Sequence, residues 1–133
     1  MSFPVMEAAA LAGRLLLAAI FLHEAFAKLT AYSAALAYSE AFGVPGKLLP
    51  LAITVEVGCG LLILLGYYTR AAALVLAGFC VATAVLFHGK LGTRNELLHF
   101  EKDLAIAGGF LVLFAHGGGA WALDALRSGH RSE

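Results

Sequence analysis

Ionisable side chains inside long apolar stretches are the groups of this chain that could do chemistry. A charge in hydrocarbon costs at least ~2.5–3.5 kcal/mol on insertion scales, so such side chains need one another, water or a ligand. Histidine and carboxylate groups can relay protons, and lysine and histidine can hydrogen-bond the polar head of a ligand. The residues concerned are Arg14, His23, Glu24, Lys28, Glu56, His88, Lys102, Asp103 and His116.

Two spacings place several ionisable side chains on common helical faces. Glu24 and Lys28 are four residues apart with the acid first, which is the favourable order for an ion pair along a helix. His99, Lys102 and Asp103 stand at positions i, i+3 and i+4, and therefore also share a face. Each set lies at one end of an apolar stretch, and alternating helix directions would bring the two ends to the same side of a membrane.

These groups are predicted to converge, together with the histidine that ends the third apolar stretch, in one polar pocket. A proton relay and a site for a polar head such as a quinone ring both require such groups beside an apolar cavity. The alternative is a polar rim that faces water among the lipid headgroups. The candidate pocket residues are Glu24, Lys28, His88, His99, Lys102 and Asp103.

Arg14 and Glu56 are predicted to form a buried ion pair. Glu56 lies about two turns inside the second apolar stretch and has no basic neighbour in its own helix. Arg14 is expected at a similar depth in the first stretch once its long side chain is counted. The alternative is that Glu56 carries a proton, because a carboxylate without a partner in such surroundings takes one up.

Metal binding and redox-active cysteines receive less support from the spacing. Nothing in the spacing pairs the histidines as ligands of a metal or a haem, and no metal site is predicted. Cys59 and Cys80 fall in the second and third apolar stretches without a CxxC motif. We interpret them as small apolar residues, and a bridge between them is the alternative.

Four apolar stretches predict an integral membrane protein. They cover about residues 8–30, 48–66, 70–88 and 100–116, each close to the ~20 residues that a helix needs to cross a bilayer. Only 14% of the 133 residues are charged and 61% are hydrophobic, which leaves little sequence for a soluble domain. Nine basic and nine acidic residues cancel without forming a basic run, so no nucleic-acid partner is predicted.

The predicted fold is all-α, a single domain over residues 1–133 in which four membrane helices form an up-down bundle. A short interfacial helix is predicted between spans one and two, because the sequence there is too short and too polar to cross. A tight turn at residues 66–70 joins spans two and three. Glycines 117–119 end the fourth span, and residues 126–133 are predicted to form a solvated tail.

The order of several short motifs resembles the DoxX family of small bacterial membrane proteins over nearly the whole chain. Each motif alone is weak, but their order and spacing together are specific. In chain order they are Arg14, Lys28-Leu29-Thr30, Gly43-Val44-Pro45-Gly46, Leu49-Pro50, Glu56 with Gly58 and Gly60, Leu65-Gly66, Thr69-Arg70, Phe87-His88, Asn95, Lys102-Asp103-Leu104, Gly108-Gly109 and Leu123-Asp124 after a glycine-rich turn.

This resemblance implies a four-helix bundle in the bacterial cytoplasmic (inner) membrane, and a link to quinol oxidase, thiol stress, superoxide defence and quinone detoxification. Two acids, Glu24 and Asp103, stand where the family usually has a small residue and an asparagine, and they make the predicted pocket more ionisable. The other departures are Ala25 and Ala27 in place of glycine and Gly118 in place of proline.

Three functions are compatible with these observations. The first is a small subunit or partner of a membrane redox system linked to quinones or oxidative stress, with a quinone as the candidate ligand. Because the sequence shows no flavin or haem motif, the electrons would come from a partner protein, and an activity as an independent enzyme is left open. The second is a non-catalytic assembly or stabilising protein. The third is a small proton-coupled transporter or channel, for which several copies of the chain would be needed.

Overall fold

The computed structural model describes residues 3–89 and 92–130, and the regular structure of these residues is helical throughout. The all-α prediction is confirmed to that extent. The elements are α1 (Phe3–Thr30), α2 (Tyr32–Ala41), a 3-10 turn (Gly46–Leu48), α3 (Leu49–Leu65), α4 (Thr69–His88), α5 (Arg94–His116) and α6 (Leu123–His130).

Length and apolarity identify the helices that can cross a membrane. Within the described residues three segments qualify, Phe3–Thr30, Gly46–Leu65 and Thr69–His88, and they match the first three predicted spans. The fourth long helix, α5, has 23 residues, but three charged residues, 101–103, interrupt its apolar sequence. The fourth crossing therefore depends on α5 and stays a prediction.

α5 begins earlier than the predicted span because a side chain caps it. The hydroxyl of Thr93 accepts the backbone N–H of Glu96 at 3.2 Å, which satisfies one of the free donors of the first turn. The polar first two turns of α5, from Arg94 onward, therefore extend the helix beyond its apolar part. His99 therefore lies on the same helix as Lys102 and Asp103, as their spacing predicted.

A tight turn joins α3 to α4, as predicted. Gly66 ends α3 in the left-handed conformation at φ +70°, which glycine adopts without a Cβ clash. The N–H of Tyr67 then donates to the carbonyl of Leu62 at 2.9 Å. A neighbouring residue also excludes a side chain at this position, because a Cβ on Gly66 would lie 2.9 Å from the Cα of Ala122.

The long helices pack in the order α1, α3, α4 and α5, and α1 and α5 approach each other less closely than the other neighbours in this ring. α1 runs antiparallel to α3, since Lys28 near the end of α1 contacts Glu56 at the middle of α3, whereas Arg14, earlier in α1, lies beside Gly66 at the end of α3. The ring of Phe21 meets that of Phe110 edge-on at 5.4 Å between centroids in the core. The sparse packing between α1 and α5 leaves room for a cavity.

Large apolar side chains cover the outside of the helices. Leu16 is 74% exposed, and Val85 and Val112 are each 61% exposed. A soluble monomer rarely exposes such a continuous apolar surface, whereas hydrocarbon chains of lipid cover it at no cost. The exposed apolar surface therefore agrees with the membrane location expected from the sequence.

The prediction of a solvated tail at residues 126–133 is corrected in part. Residues Leu123–His130 form a helix, α6, which contacts the turn between α3 and α4 but leaves Leu126 70% exposed. Residues 131–133 lie outside the described residues. The carboxylate of Asp124 accepts the backbone N–H groups of Tyr68 and Thr69, both at 2.8 Å, and so caps the N-terminus of α4 from outside its own helix. The guanidinium of Arg127 lies 4.2 Å from the ring centroid of Tyr68.

The turn that precedes α6 is held by α1. Arg14 donates to the carbonyl of Gly118 at 2.7 Å and to that of Trp121 at 3.1 Å. A carboxylate oxygen of Glu7 accepts the N–H of Ala120 at 2.5 Å. We call residues 117–122, with the two α1 side chains that bind them, the clasp, and it locks this end of the helix bundle.

Candidate functional site

A cavity of about 680 Å³ lies at the opposite end from the clasp. Side chains from α1, α2, α3, α4 and α5 line it, so the loosely packed α1–α5 pair forms one of its walls. All six residues proposed for a polar pocket line this cavity: Glu24, Lys28, His88, His99, Lys102 and Asp103. Whether they bind a ligand stays a prediction, but the chain does bring them together.

Glu56 and Lys28 form the innermost polar contact of the cavity. The Nζ atom of Lys28 donates to Oε1 of Glu56 at 2.6 Å. The side chain of Glu56 is 2% exposed, and that of Lys28 is 26% exposed. The second oxygen of Glu56, Oε2, has no hydrogen-bond partner among the described residues. Oε2 is therefore a buried acceptor whose hydrogen-bonding capacity the described residues do not use.

The predicted ion pair between Arg14 and Glu56 is wrong. Both side chains are buried, as the prediction required, but Arg14 is bound in the clasp and Glu56 is bound to Lys28. The two residues lie at different depths, since Arg14 is level with Gly66 on the antiparallel helix α3. Gly66 is about 15 Å further along that helix than Glu56 at 1.5 Å per residue.

Lys28 does not pair with the residue of its own helix that the sequence spacing favours. Glu24 precedes it by four residues, but the structure gives Lys28 the carboxylate of Glu56 instead. Glu24 is exposed and keeps access to water, whereas an ionised Glu56 without a cation would carry a large desolvation cost. Lys28 therefore stabilises the protein more by binding Glu56.

Three groups of α4 and α5 form a second polar cluster in the cavity. The imidazole rings of His88 and His99 stack with centroids 5.3 Å apart and planes 25° from parallel. Nε2 of His88 lies 3.9 Å from Oδ2 of Asp103. At these distances small side-chain movements or a bridging water would link the groups into a path for protons.

Lys102 and Glu24 contribute charges that the protein does not neutralise within the cavity. Both line it and both are exposed. No hydrogen bond or ion pair joins either of them to another described residue. The ammonium group of Lys102 is therefore a free donor, and the carboxylate of Glu24 is a free acceptor.

The remaining walls of the cavity are apolar and aromatic. Ile20, Phe79 and Ile106 line it from three helices. α2 covers one side, where the ring of Tyr38 stacks on that of Phe87 at 5.6 Å between centroids. This composition suits a ligand with a polar head and an apolar body.

Sequence reasoning missed several lining residues. Cys80, interpreted only as a packing residue, is buried and lines the cavity, and both it and Cys59 are free thiols. Tyr38 and Ser39 also line it, because α2 lies against the bundle and not away from it. The aromatic spacing of Tyr38 and Phe42 was the available signal for that contact, since both rings meet Phe87.

A metal-based function finds no donor set in the part of the chain that the structure describes. Groups of three or more histidine, cysteine, aspartate or glutamate side chains placed to hold a metal ion do not occur there.

Comparison with known proteins identifies one family and two inner membrane proteins that are similar to this chain. The sequence profile of the DoxX family matches residues 9–89. The chain is 45% identical over 116 residues to the inner membrane protein YqjF of Escherichia coli (strain K12), covering 87% of this chain and 89% of the relative. It is 31% identical over 121 residues to the inner membrane protein YphA of the same strain, covering 86% of each. No solved structure matches the chain.

Proposed function

The chain belongs to the DoxX family and is an inner membrane protein, and we propose that its cavity binds the head of a quinone for a membrane redox system. Reduction of a quinone to a quinol takes up two electrons and two protons. In this proposal a partner protein supplies the electrons, and the cavity residues position the ring and pass protons to its oxygens. α5 is then the fourth crossing of the bundle, and α2 lies at the membrane interface.

The observation that carries the proposal is the free ammonium group of Lys102 in a cavity with apolar walls. A quinone oxygen accepts hydrogen bonds, and a cationic donor is a favourable partner for it, above all as negative charge develops on reduction. The stacked histidines and Asp103 lie in the same cavity and can exchange protons with that oxygen. The volume falls within the ~300–1,000 Å³ usual for small-molecule sites.

Lys28 and Glu56 take a structural role in this proposal as well as a chemical one. Their contact at 2.6 Å holds α1 against α3 behind the cavity. The unpartnered Oε2 of Glu56 faces no donor of the described protein residues, so it is suited to accept a hydroxyl of the reduced ring.

A non-catalytic assembly or stabilising protein is the second candidate. The observation in its favour is the number of buried polar contacts that join helices, including Lys28–Glu56 and Arg14–Gly118. Such contacts lock a small bundle whether or not a ligand binds. In that case Lys102 would be a solvated surface group with no effect on ligand binding.

Binding of a quinone analogue to the purified protein distinguishes the two candidates. Wild type, Lys102→Met and the control Lys47→Met are titrated with a ubiquinone analogue carrying a short tail, in dodecyl maltoside micelles. Lys47 is exposed and does not line the cavity, so it matches the loss of charge without touching the site.

We expect Lys102→Met to weaken binding by about tenfold or more, because a hydrogen bond from a charged donor contributes ~1.5–3 kcal/mol. Lys47→Met should bind as wild type does. Equal affinity in wild type and Lys102→Met, or no binding by either, would leave the assembly protein as the better description.

A further inference from the structure

A second cavity, of about 580 Å³, lies at the clasp end of the molecule, away from the quinone site proposed above. The start of α4, the end of α5, the glycine-rich turn after it and α6 surround this cavity. Three basic side chains line it from three different helices, namely Arg70, His116 and Arg127. Such convergence from distant parts of the chain is a property of the fold and not of a local basic run.

The one carboxylate among the described residues that line this cavity is already satisfied. Asp124 accepts the N–H groups of Tyr68 and Thr69 at 2.8 Å each, and its Oδ1 lies 3.7 Å from a guanidinium nitrogen of Arg127. Arg70 makes no hydrogen bond or ion pair with a described residue. The cavity therefore keeps positive charge with free donors after its own acid has been counted.

A buried hydroxyl group also lies at this cavity. Thr69 is 0% exposed and lines the cavity. Its Oγ1 makes no hydrogen bond of good geometry with a described residue, although the carboxylate of Asp124 lies close enough for a weak one. A ligand oxygen that accepts from this hydroxyl would give it a better partner, so the hydroxyl indicates the same kind of ligand as the arginines, an acceptor of hydrogen bonds.

Glycines give a ligand access to these donors. A Cβ on Gly118 would lie 2.9 Å from Oγ1 of Thr69, and a Cβ on Gly117 would lie 3.3 Å from Nε of Arg70. Gly117 also adopts φ +80°, which disfavours any side chain at that position. The backbone of the turn thus leaves open the space beside Thr69 and Arg70 that other residues would fill.

We propose that this second cavity binds a phosphate group, supplied by the head of an anionic phospholipid. The planar guanidinium of Arg70 can bind two phosphate oxygens, and the hydroxyl of Thr69 can donate to one of them. Arg127 adds positive charge, and the imidazole of His116 can donate a hydrogen bond. Aromatic side chains typical of a membrane interface, Tyr68 and Trp121, are about half exposed at the same end of the molecule. That position favours a lipid phosphate over a free phosphate in solution.

The test compares lipid binding by wild type and two variants of the whole protein in detergent micelles. Native mass spectrometry measures the binding of dioleoylphosphatidylglycerol, of dioleoylphosphatidylcholine and of inorganic phosphate. The variants are Arg70→Gln, which removes the free guanidinium, and Thr69→Val, which removes only the buried hydroxyl. The control is Arg94→Gln, because Arg94 is also exposed and begins α5 outside the cavity.

We expect phosphatidylglycerol to bind wild type and Arg94→Gln alike, and Arg70→Gln about tenfold more weakly. Thr69→Val should lose a smaller factor with an unchanged fold by circular dichroism. Saturable binding of inorganic phosphate that depends on Arg70, without selective lipid binding, would keep the phosphate site and overturn its assignment to lipid. Equal binding by wild type and Arg70→Gln of every probe would overturn the site altogether.

Discussion

Replacement of Lys28 by methionine is expected to destabilise the protein more than replacement of its partner Glu56. The two side chains share one contact at 2.6 Å, but their surroundings differ. Glu56 is 2% exposed, so without Lys28 its carboxylate stays buried with no cation. Lys28 is 26% exposed, so without Glu56 its ammonium group can move into the water of the cavity or the interface.

The expected magnitudes follow from this asymmetry. Removal of one partner so that the other stays buried and charged costs about 3–5 kcal/mol, and this range applies to Lys28→Met. Glu56→Met leaves only Lys28 without a partner, and that lysine can reach water. The loss of stability should therefore be nearer to the ~1 kcal/mol of a typical hydrogen bond. The double variant replaces the pair by apolar side chains and should be within about 1 kcal/mol of wild type.

Unfolding in mixed micelles measures these differences. The helical circular dichroism signal is followed as sodium dodecyl sulfate is titrated into dodecyl maltoside micelles, for wild type, both single variants and the double variant. Lys47→Met is the control for loss of an exposed lysine. A cost below about 1 kcal/mol for Lys28→Met, or a double variant as unstable as the sum of the single variants, would refute the view that Glu56 depends on Lys28.

Two further predictions concern the clasp end. Asp124→Asn should destabilise by about 1 kcal/mol at neutral pH through the weakened cap on α4. Burial tends to raise the pKa of Asp124, but the N–H and hydroxyl groups of Thr69, the N–H of Tyr68 and the guanidinium of Arg127 hold that pKa below its ordinary value. The gap to wild type should therefore be full above the ordinary aspartate pKa and vanish as the pH falls through the lowered one, as unfolding midpoints at several pH values would show. Arg14→Met should leave the carbonyls of Gly118 and Trp121 without their donor. Amide hydrogen exchange should then rise in this turn and in α6, while α2 exchanges as in wild type.

The polar residues of the larger cavity could be predicted from local spacing because helical periodicity decides which side chains share a face. The positions of His99 and Lys102 relative to the apolar part of α5, and of His88 at the end of α4, were sufficient to bring them together. Partners across helices were not predictable in the same way. Lys28 binds Glu56 because of the register between α1 and α3, and periodicity within one helix carries no information about that register.

The C-terminal segment shows a second limit of local reasoning. Its sequence is polar and short, and taken alone it favours a solvated tail. In the folded protein Asp124 meets two backbone N–H groups that the start of α4 leaves free, and Arg127 lies over a tyrosine ring of the same turn. The stabilising partners are 55 and 56 residues away in sequence for the two hydrogen bonds, so only the tertiary structure supplies them.

The two ends of the bundle differ in how their helices are joined. At the clasp end Arg14, Glu7 and Asp124 each bind backbone groups of another element, which fixes α1, α4 and α6 together, although Arg70 has no partner among the described residues there. At the opposite cavity Lys102 and Glu24 also have no described partner, and α1 and α5 pack sparsely. Loose packing lowers stability, and a bundle of this size retains it only where other contacts compensate. The hydrogen bonds of the clasp supply such contacts, so the opposite end can keep space between α1 and α5 without loss of the fold.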